Sequence, residues 1–416
     1  MMVNDTPLRK RHESYVQALQ DRGTDDETAS ARPGAARGRR AELGEMVYLA
    51  YGPAAGPEET ATHLVATFGE VEAEYAAVRR ATGILDSPHR GLLQVTGSDR
   101  IDFLDRMLTQ DVGNMAAGSA AESFLLNRKG RIEADLLLIE LGDRMLIEVD
   151  HCQAKHVRRT LEEYVIAENL RIADVSGEHY QIALHGPKAM DVLGNAAEGE
   201  CAELKPLEAT TVKIDGVDVA IARRDQVGDA GLCLIMPRDK AEAVWDALLA
   251  TDEVVGEGKR RVRPVGWYAF NTARIEAGTP LYNIDFGNTN LPHETGVLHG
   301  RVSLAKRCYI GQEIVARTES RGRPRQVLAG LRIAGEAVPM AGEAVFEKRS
   351  EYETGDHIGV VTSSTPAPML GSVPIALAML KTAAAEVGTS VLVYAEGAIV
   401  SAVVQKPAFR PVRSQH

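Results

Sequence analysis

The chain has 416 residues, of which 44% are hydrophobic and 25% are charged, and its formal net charge is −11. Since a domain typically takes about 100–200 residues, this length predicts two to four globular domains with enough apolar side chains to build their cores. The acidic balance, with a pI near 5.6, repels a phosphate backbone and so argues against general nucleic-acid binding.

The four cysteines are far apart in the sequence, at Cys152, Cys201, Cys233 and Cys308. No CxxC pair is present, which disfavours a zinc ribbon or a four-cysteine iron–sulfur cluster within the chain. Sparse cysteine usage suits a reducing compartment, and the polar N-terminus lacks the apolar segment of a signal peptide. The longest hydrophobic stretch ends at Lys381 and is too short to cross a bilayer, so we expect a cytoplasmic protein without a membrane partner.

The N-terminal half of the sequence predicts an α+β layer behind a loose leading segment. A short helix is expected within residues 1–20, and the Gly-, Ala-, Arg- and Asp-rich residues 21–44 are typical of a flexible insertion. A helix over 70–83, a strand over 91–97 and a helix over 98–112 follow. Strands over 131–141 and 144–150, joined at Gly142-Asp143, and a helix over 153–169 complete an arrangement typical of an antiparallel sheet with helices.

The same theme returns in the second half before the texture changes. A strand and a helix are predicted within 181–194, with Pro187 near the start of the helix, then a hairpin around Asp215-Gly216 and an amphipathic helix over 240–250. After about residue 325 the sequence consists of short strands separated by turn residues. That pattern predicts a small all-β barrel or sandwich.

Several segments, read in order, resemble the aminomethyltransferase (glycine-cleavage T-protein) superfamily. They include TPLRKRH (6–12), residues 74–112 and 125–141, ALHGPKAMDVL (183–193), NTARIEAGTPLY (271–282) and residues 358–381. The resemblance, which covers residues 45–410, implies a cloverleaf of two α+β domains that cradle tetrahydrofolate and a small C-terminal β-barrel. We therefore expect an N-terminal segment over 1–44, α+β domains over 45–175 and 176–325, and the barrel over 326–416.

The most specific motif is LAKRCYIGQEIVART, at residues 304–318. It resembles the signature Lys-Gly-Cys-Tyr-x-Gly-Gln-Glu of the YgfZ-type folate-binding branch, whose members are associated with iron–sulfur enzyme maintenance. The chain replaces the Gly of this signature with Arg307. It keeps the other specified residues, which are Lys306, Cys308, Tyr309, Gly311, Gln312 and Glu313. Aminomethyltransferases proper have a different sequence here, without the Cys-Tyr pair.

Cys308 lies among basic residues of the sequence: Lys306, Arg307, Arg317 and Arg321. Nearby positive charge favours the thiolate, which can act as a nucleophile, a metal ligand or a redox group. The alternative is a small buried hydrophobic residue. Inside this motif we predict that Cys308 is a functional thiol.

The neighbours of Cys308 are predicted to be cofactor-binding residues. Tyr309 and Gln312 are candidates to hydrogen-bond a polar partner near the thiol, and Glu313 is a candidate to pair with Lys306 or Arg317. A purely structural role for Glu313 is the alternative.

Asp135, in GRIEADL, aligns with the second Asp of the family's Gly-Gly-x-x-Asp-Asp-Leu segment, and Ala134 takes the place of the first. A carboxylate beside the folate nitrogens can orient the reduced pteridine or stabilise a cationic one-carbon adduct, so Asp135 is predicted to be both catalytic and cofactor-binding. If Leu136 and Leu138 face the core, strand alternation turns Asp135 toward the expected cavity. The alternative is a solvated carboxylate at a strand edge.

Two departures weigh against orthodox aminomethyl transfer. The family's Asp-Gly-x-Glu carboxylate, which helps hold the pteridine, maps to Cys233, and the family's Ala-Arg-Asp arginine maps to Phe270. A thiol cannot imitate a bidentate carboxylate contact, and a phenyl ring cannot grip a carboxylate. Arg274 and Glu276 do match the family and are expected either to line the folate cavity or to form an internal ion pair.

The histidines near cysteines do not predict a metal site. His151, Cys152 and His156 are close in sequence, but one or two further ligands would be needed for zinc, so no metal is expected. His293 precedes the cysteine motif and is either a modulator of Cys308 or a solvated loop residue.

Three functions remain open on the sequence alone. The leading hypothesis is a tetrahydrofolate-binding protein that supports iron–sulfur cluster assembly or repair, with reduced folate and iron–sulfur enzymes as partners. The second is an aminomethyltransferase or methyltransferase that moves a one-carbon unit from a small amine to tetrahydrofolate. The third is a non-enzymatic interaction scaffold that has lost folate.

Overall fold

The computed structural model describes residues 6–29, 44–52, 62–252, 262–306, 308–350 and 353–410. The helices in these residues are α1 (Arg9–Ala29), α2 (Val71–Arg80), α3 (Arg100–Met107), α4 (His151–Glu162), α5 (Ala189–Ala196), α6 (Ala241–Ala250), α7 (Trp267–Ala277), α8 (Leu298–Arg301) and α9 (Gln312–Arg321). The strands are β1 (Val47–Tyr51), β2 (Thr62–Thr67), β3 (Thr82–Asp86), β4 (Arg90–Thr96), β5 (Ser119–Leu126), β6 (Ile132–Glu140), β7 (Arg144–Asp150), β8 (Arg171–Asp174), β9 (His179–His185), β10 (Ala209–Ile214), β11 (Val217–Arg223), β12 (Gly231–Pro237), β13 (Val262–Val265), β14 (Gln326–Ile333), β15 (Ala344–Lys348), β16 (Thr354–Ala367), β17 (Val373–Lys381), β18 (Ser390–Ala395) and β19 (Ala398–Gln405).

The first sheet is antiparallel, with strand order β5-β6-β7-β4-β8. Side chains alternate along β6, because successive residues of a strand point to opposite faces. Leu136 and Leu138 pack into the core that α3 and α4 cover, whereas Leu137 and Ile139 face the second sheet. The alternation places Asp135 on the face that looks toward the second sheet.

The second sheet has the order β10-β11-β12-β9-β3-β13 and is antiparallel except for the parallel pair β3–β13. One face packs against α5 and α6, where Trp245 is among the largest fully buried side chains. The other face contacts the first sheet through a small apolar cluster that includes Ala220 and Ile235. Strand β3 belongs to this sheet, although it lies within residues 45–175, which the sequence assigns to the first α+β domain. The second sheet therefore contains strands from both sides of the expected boundary at residue 175.

The C-terminal strands form a closed barrel in the order β14-β17-β16-β15-β18-β19. Its interior is filled by small and branched side chains such as Leu331, Val345 and Val393. A separate cluster that includes Ile275, Tyr309 and Leu377 joins the outside of the barrel to α7 and to the cysteine motif. The predicted α+β class with a C-terminal β-barrel is confirmed.

The N-terminal region differs from the sequence prediction. Helix α1 continues to Ala29, past residue 20, where the flexible insertion was expected to begin. The side chain of Gln17 donates to Asp21 one turn further on, at 2.8 Å, which supports the helix across that boundary. Residues 30–43 of the expected insertion lie outside the described residues. The antiparallel pair β1–β2, which the sequence does not predict, packs beside α1.

No helix in the described part of the chain is both long and apolar enough to span a bilayer.

Candidate functional site

A central cavity lies where the facing surfaces of the two sheets meet the start of α7. About 50 Å³ of it can be reached by the centre of a water molecule. Its aromatic lining is Tyr51, Trp267, Phe270 and Tyr282. Its polar lining includes Asp135, Glu148, Asp150, Arg90, Arg224, Gln181, His89 and His185. Flat rings together with hydrogen-bonding groups are suited to a planar, polar heterocycle.

Asp135 lines this cavity from β6, on the side that strand alternation predicts. Arg301 Nε donates to Asp135 Oδ1 at 2.8 Å, and Arg224 Nη2 lies 3.7 Å from Asp135 Oδ2. The residue is buried. Its carboxyl group is therefore held between two guanidinium groups and is not the solvated strand-edge group that the sequence left as an alternative.

Asp135 belongs to a largely buried cluster of charged side chains that joins β4, β5, β6, β7 and α8 to the residue after β11. The other members are Glu122, Glu148, Arg90, Arg224 and Arg301. Burial disfavours the charged form of Glu122, but the attraction of Arg301 and Arg224 outweighs it and lowers the pKa of Glu122. Burial also opposes the charge on Arg224, whose pKa is nevertheless raised by the surrounding carboxylates. The cluster thus satisfies its own charges and fixes Asp135 in place.

Tyr51 and Asp150 form a second polar pair at the cavity wall. Tyr51 Oη donates to Asp150 Oδ2 at 2.6 Å, while Asp150 Oδ1 accepts from the backbone N–H of Cys152 at the start of α4. Burial, helped by the negative charge of Asp150, raises the pKa of Tyr51 well above its ordinary value. Tyr51 therefore remains a neutral donor, and Asp150 is engaged in capping a helix.

Two histidines of the cavity have polar atoms that the fold does not use. Among the described residues, no hydrogen-bond partner is found for either ring nitrogen of His185. The same is true of Nδ1 of His89. Burial, with a contribution from Arg224, lowers the pKa of His185 to about 4, and burial lowers the pKa of His89 well below its usual value. Both imidazoles are therefore neutral near pH 7 and offer donors and acceptors to a ligand.

Cys233 and Phe270, at which the resemblance implies that family residues are replaced, both face the cavity. Cys233 is buried on β12, and burial raises the pKa of its thiol well above the usual value. Phe270, on α7, packs with its ring centroid 5.1 Å from that of His185. Cys233 and Phe270 thus give this part of the wall a neutral thiol and a phenyl ring.

Arg274 and Glu276, which were predicted to bind the cofactor, lie outside the cavity lining. Both are fully buried on α7. The guanidinium of Arg274 pairs with Asp285 and donates to Ser363 Oγ at 2.6 Å, tying α7 to the barrel. Glu276 Oε2 accepts from Arg79 Nη2 at 2.5 Å. Each is in an internal ion pair with a partner other than its sequence neighbour, because a charge buried on a helix needs an opposite charge beside it.

The cysteine motif lines a different recess, an outer groove between α3, the loop after α4 and the start of α9. The groove is lined by Phe103, Arg106, Met107, Arg128, Tyr164, Ile166, Glu168 and the residues from Cys308 to Glu313. Cys308 is exposed, and its backbone adopts a left-handed conformation with φ of 49°. Cys308 and Asp135, which were both predicted to be catalytic, therefore line different recesses.

Lys306 and Gln312 fix the shape of the loop that carries Cys308, here called the cysteine loop. Gln312 Oε1 accepts from the backbone N–H of Cys308 at 2.9 Å, and Gln312 Nε2 donates to the carbonyl oxygen of Lys306 at 2.8 Å. Lys306 Nζ lies 2.8 Å from Asp105 Oδ1 and donates to the carbonyl oxygen of Gln110 at 2.6 Å. Burial lowers the pKa of Lys306, although Asp105 opposes the shift. The polar groups of Lys306 and Gln312 are thus bound to other protein atoms, and neither side chain lines the central cavity.

The remaining motif residues also lie away from the central cavity. Tyr309 is buried in the cluster beside the barrel, and burial raises its pKa to about 12. Glu313 is exposed at the groove, and its predicted partner Lys306 pairs with Asp105 instead. Arg317 is exposed on α9. Arg307, whose effect on the thiol the sequence left open, lies outside the described residues.

The other histidine candidates have ordinary protein partners. His293 Nε2 lies 3.2 Å from Glu319 on α9, and His156 Nε2 lies 3.3 Å from Glu133. Within the described ranges, no group of three or more His, Cys, Asp or Glu side chains is arranged to hold a metal ion.

Sequence reasoning missed most of the polar and aromatic cavity wall, including Tyr51, Glu148, His185, Arg224 and Trp267. It also missed Glu122 and Arg301, which pair with wall residues from outside the lining. One signal was available, because Glu122 and Glu148 interrupt otherwise apolar strands, and a charged residue at such a position needs a buried partner. The partners themselves come from distant segments, and only the folded chain brings them together.

Comparison with known proteins supports the same architecture. Residues 49–306 match the family model of the GCVT N-terminal domain, and residues 326–410 match that of the glycine cleavage T-protein C-terminal barrel domain. Relatives described as aminomethyltransferases from Staphylococcus carnosus (strain TM300) and Staphylococcus saprophyticus subsp. saprophyticus are each 28% identical over 341 residues, 82% of this chain and 90% of the relative.

A solved structure agrees over a similar length. The crystal structure of glycine cleavage system aminomethyltransferase T from Bartonella henselae matches with a TM-score of 0.75 at 25% identity and covers 85% of this chain and 93% of that chain. The two family models together match most of the sequence. The chain therefore belongs to the glycine cleavage T-protein family.

Proposed function

We propose that the central cavity binds a reduced folate, with its pterin ring among the aromatic side chains and Asp135. The family supports this assignment, since its aminomethyltransferases act with tetrahydrofolate. The observation that carries it is the set of unused polar atoms in the wall, on His89 and His185. A planar ligand with its own donors and acceptors would satisfy them.

Asp135 is the residue that we assign to the reactive nitrogens of the folate. Bound reduced folate supplies nitrogen atoms able to carry a one-carbon unit. A carboxylate held by Arg301 at 2.8 Å cannot swing away, so it can orient the ring and stabilise positive charge that develops beside it. We do not extend the folate site to Arg274, Glu276 or the cysteine motif.

We further propose that Cys308 acts at the outer groove, in support of iron–sulfur enzymes. The supporting observation is its position: the thiol is exposed in a groove outside the cavity, on a loop that Gln312 holds in a left-handed turn. A thiol in that place is accessible to a macromolecule or to a cluster under assembly, and it does not meet the folate. None of the four cysteines forms a disulfide within the described residues, as suits the cytoplasmic location that we propose.

A one-carbon transferase is the second candidate. It is favoured by the relatives described as aminomethyltransferases and by Asp135 at the cavity wall. It is disfavoured by Cys233 and Phe270, which line the cavity where the resemblance implies a carboxylate and an arginine. Formation of 5,10-methylene-tetrahydrofolate from aminomethylated carrier protein would establish this activity.

The experiment that tests the leading proposal is complementation of a deletion strain, read out as the activity of several iron–sulfur enzymes. We expect Cys308→Ala to fold normally and to fail in restoring those activities, while Cys201→Ala, a control at a free cysteine outside the groove, restores them. Full restoration by Cys308→Ala would remove the thiol from the function. Failure of the wild-type protein to restore any iron–sulfur enzyme would reject the iron–sulfur role and favour the transferase.

A further inference from the structure

One wall of the central cavity carries a histidine whose polar atoms have no partner in the fold. His185, at the end of β9, is 2% exposed and lines the cavity. Neither Nδ1 nor Nε2 has a hydrogen-bond partner among the described residues. Burying such a group without a partner is destabilising, so its retention in a cavity wall points to a ligand that completes it.

The strand pairing places His185 next to the position that lost its carboxylate. In the β9–β12 ladder, Gly231 stands opposite His185 and Cys233 stands opposite Ala183. Both His185 and Cys233 line the cavity, so the two side chains are neighbours on one face. A Cβ at position 231 would come within 2.2 Å of the carbonyl oxygen of Arg224 and 3.1 Å of His185 Nδ1. The close approach of the Arg224 carbonyl therefore requires glycine at position 231, and the missing side chain also leaves room beside the imidazole.

An imidazole and a carboxylate differ in the ligand atoms that they recognise. A carboxylate only accepts hydrogen bonds, so it selects a ligand edge with two N–H donors. A neutral imidazole presents one donor and one acceptor. Burial and the adjacent Arg224 keep His185 neutral near pH 7. The ring of Phe270, 5.1 Å away and tilted by 34°, adds an aromatic surface beside these polar atoms.

We propose that His185 is a binding residue for the pterin ring and takes over the recognition that Cys233 no longer provides. One of its ring nitrogens donates to an acceptor atom of the ligand, and the other, which points in a different direction, accepts from a separate donor. This inference rests on the proposed folate function and adds the residue and the pair of ligand atoms to it.

The test is calorimetric titration of the full-length protein with 5-formyl-tetrahydrofolate and, separately, with tetrahydropterin and with p-aminobenzoylglutamate. His185→Phe keeps a ring and removes both nitrogens, and His185→Gln keeps one donor and one acceptor. His179→Phe, on the same strand but outside the cavity lining, is the matched control. We expect His185→Phe to weaken both pterin-containing ligands by at least about ten-fold, with His185→Gln within about three-fold of wild type.

Thermal melting separates lost binding from lost folding. Because His185→Phe removes an unpartnered buried imidazole, the variant without ligand should melt no lower than wild type. If wild type binds 5-formyl-tetrahydrofolate and His185→Phe binds it equally well, the inference is overturned and the folate function stands. If wild type binds none of the ligands, both fail together. Should His185→Phe not fold, equal affinity of His185→Gln and His185→Met would overturn the inference.

Discussion

Arg301 Nε donates a hydrogen bond to Asp135 Oδ1 over 2.8 Å and so ties α8 to the strand that carries the cavity carboxylate. The same guanidinium pairs with Glu122 on β5. Arg301 stands five positions before Lys306, whose ammonium group anchors the cysteine loop to Asp105. A short stretch of chain therefore supports both recesses, the central cavity on one side and the outer groove on the other.

Removing Arg301 should destabilise the whole fold. In Arg301→Met, the buried carboxylates of Asp135 and Glu122 lose a shared partner, and breaking a buried pair in this way costs about 3–5 kcal/mol. Urea denaturation measures the change. Arg106→Met is the control, since its contact with Glu168 leaves the arginine side chain 59% exposed and an exposed pair contributes about 1 kcal/mol or less. Equal losses for the two variants would show that the cluster does not hold the cavity together.

The cysteine should be dispensable for folate binding. Cys308 lies in the outer groove and not among the residues that line the central cavity. We expect the dissociation constant of Cys308→Ala for 5-formyl-tetrahydrofolate to stay within about two-fold of wild type, below 0.5 kcal/mol, by calorimetry. Loss of binding in this variant would mean that the two recesses communicate or that folate occupies the groove.

Gly311 should be sensitive to a single methyl group. Its φ is 80°, and an added Cβ would come within 2.6 Å of the carbonyl oxygen of Asn127 in the β5–β6 turn. Gly311→Ala should therefore lower the free energy of unfolding by more than about 1 kcal/mol and loosen the cysteine loop. The free energy comes from urea denaturation, and alkylation of Cys308 by iodoacetamide reports the loop. Gly322→Ala is the control, because nothing lies within 4 Å of its added Cβ, and similar losses in both variants would contradict the close packing at Gly311.

Acidification should destabilise the protein through the cavity histidines. The pKa of His185 is lowered to about 4 in the folded protein, whereas it is near 6.5 in the unfolded chain. Between pH 6.5 and pH 4, His185 therefore binds a proton in the unfolded chain but not in the folded protein. The contribution of His185 to the free energy of unfolding, about 3 kcal/mol, is fully present above pH 6.5 and is lost as the pH falls toward 4. His89, beside Arg90 and His151, shifts in the same direction.

The matching measurement is the free energy of unfolding in urea at pH 7, 5.5 and 4.5. In His185→Phe, the fall in stability between these pH values should be smaller than in wild type. A pH dependence identical to that of wild type would place the destabilising protonation elsewhere, with His89→Phe as the next variant to compare.

Local patterns predicted the framework of this molecule well. Helical spacing and strand alternation predicted α4, β6 and β7, and the alternation along β6 predicted the side of the strand on which Asp135 lies. The turn-rich C-terminal strands predicted the barrel. Helices and strands depend on residues that are close in the sequence, so the sequence pattern predicts them.

The composition of the site was harder to predict because it depends on contacts between distant segments. Arg274 and Glu276 matched the family pattern, yet their partners Asp285 and Arg79 turn them into internal supports. Cys308 follows Arg301 by only seven positions but emerges on another side of the molecule. Motif spacing does not indicate which recess a loop lines, so the sequence alone could not place Cys308 relative to Asp135.

The measurement that tests the account most directly is calorimetric titration of the full-length protein with 5-formyl-tetrahydrofolate, beside Asp135→Asn and the exposed control Asp239→Asn. We predict micromolar binding by wild type and Asp239→Asn, about −8 kcal/mol, and clear weakening in Asp135→Asn, which keeps the shape of the side chain and loses its charge. Absence of wild-type binding at millimolar ligand would contradict the folate cavity. Equal binding by all three proteins would keep the folate and remove Asp135 from its site.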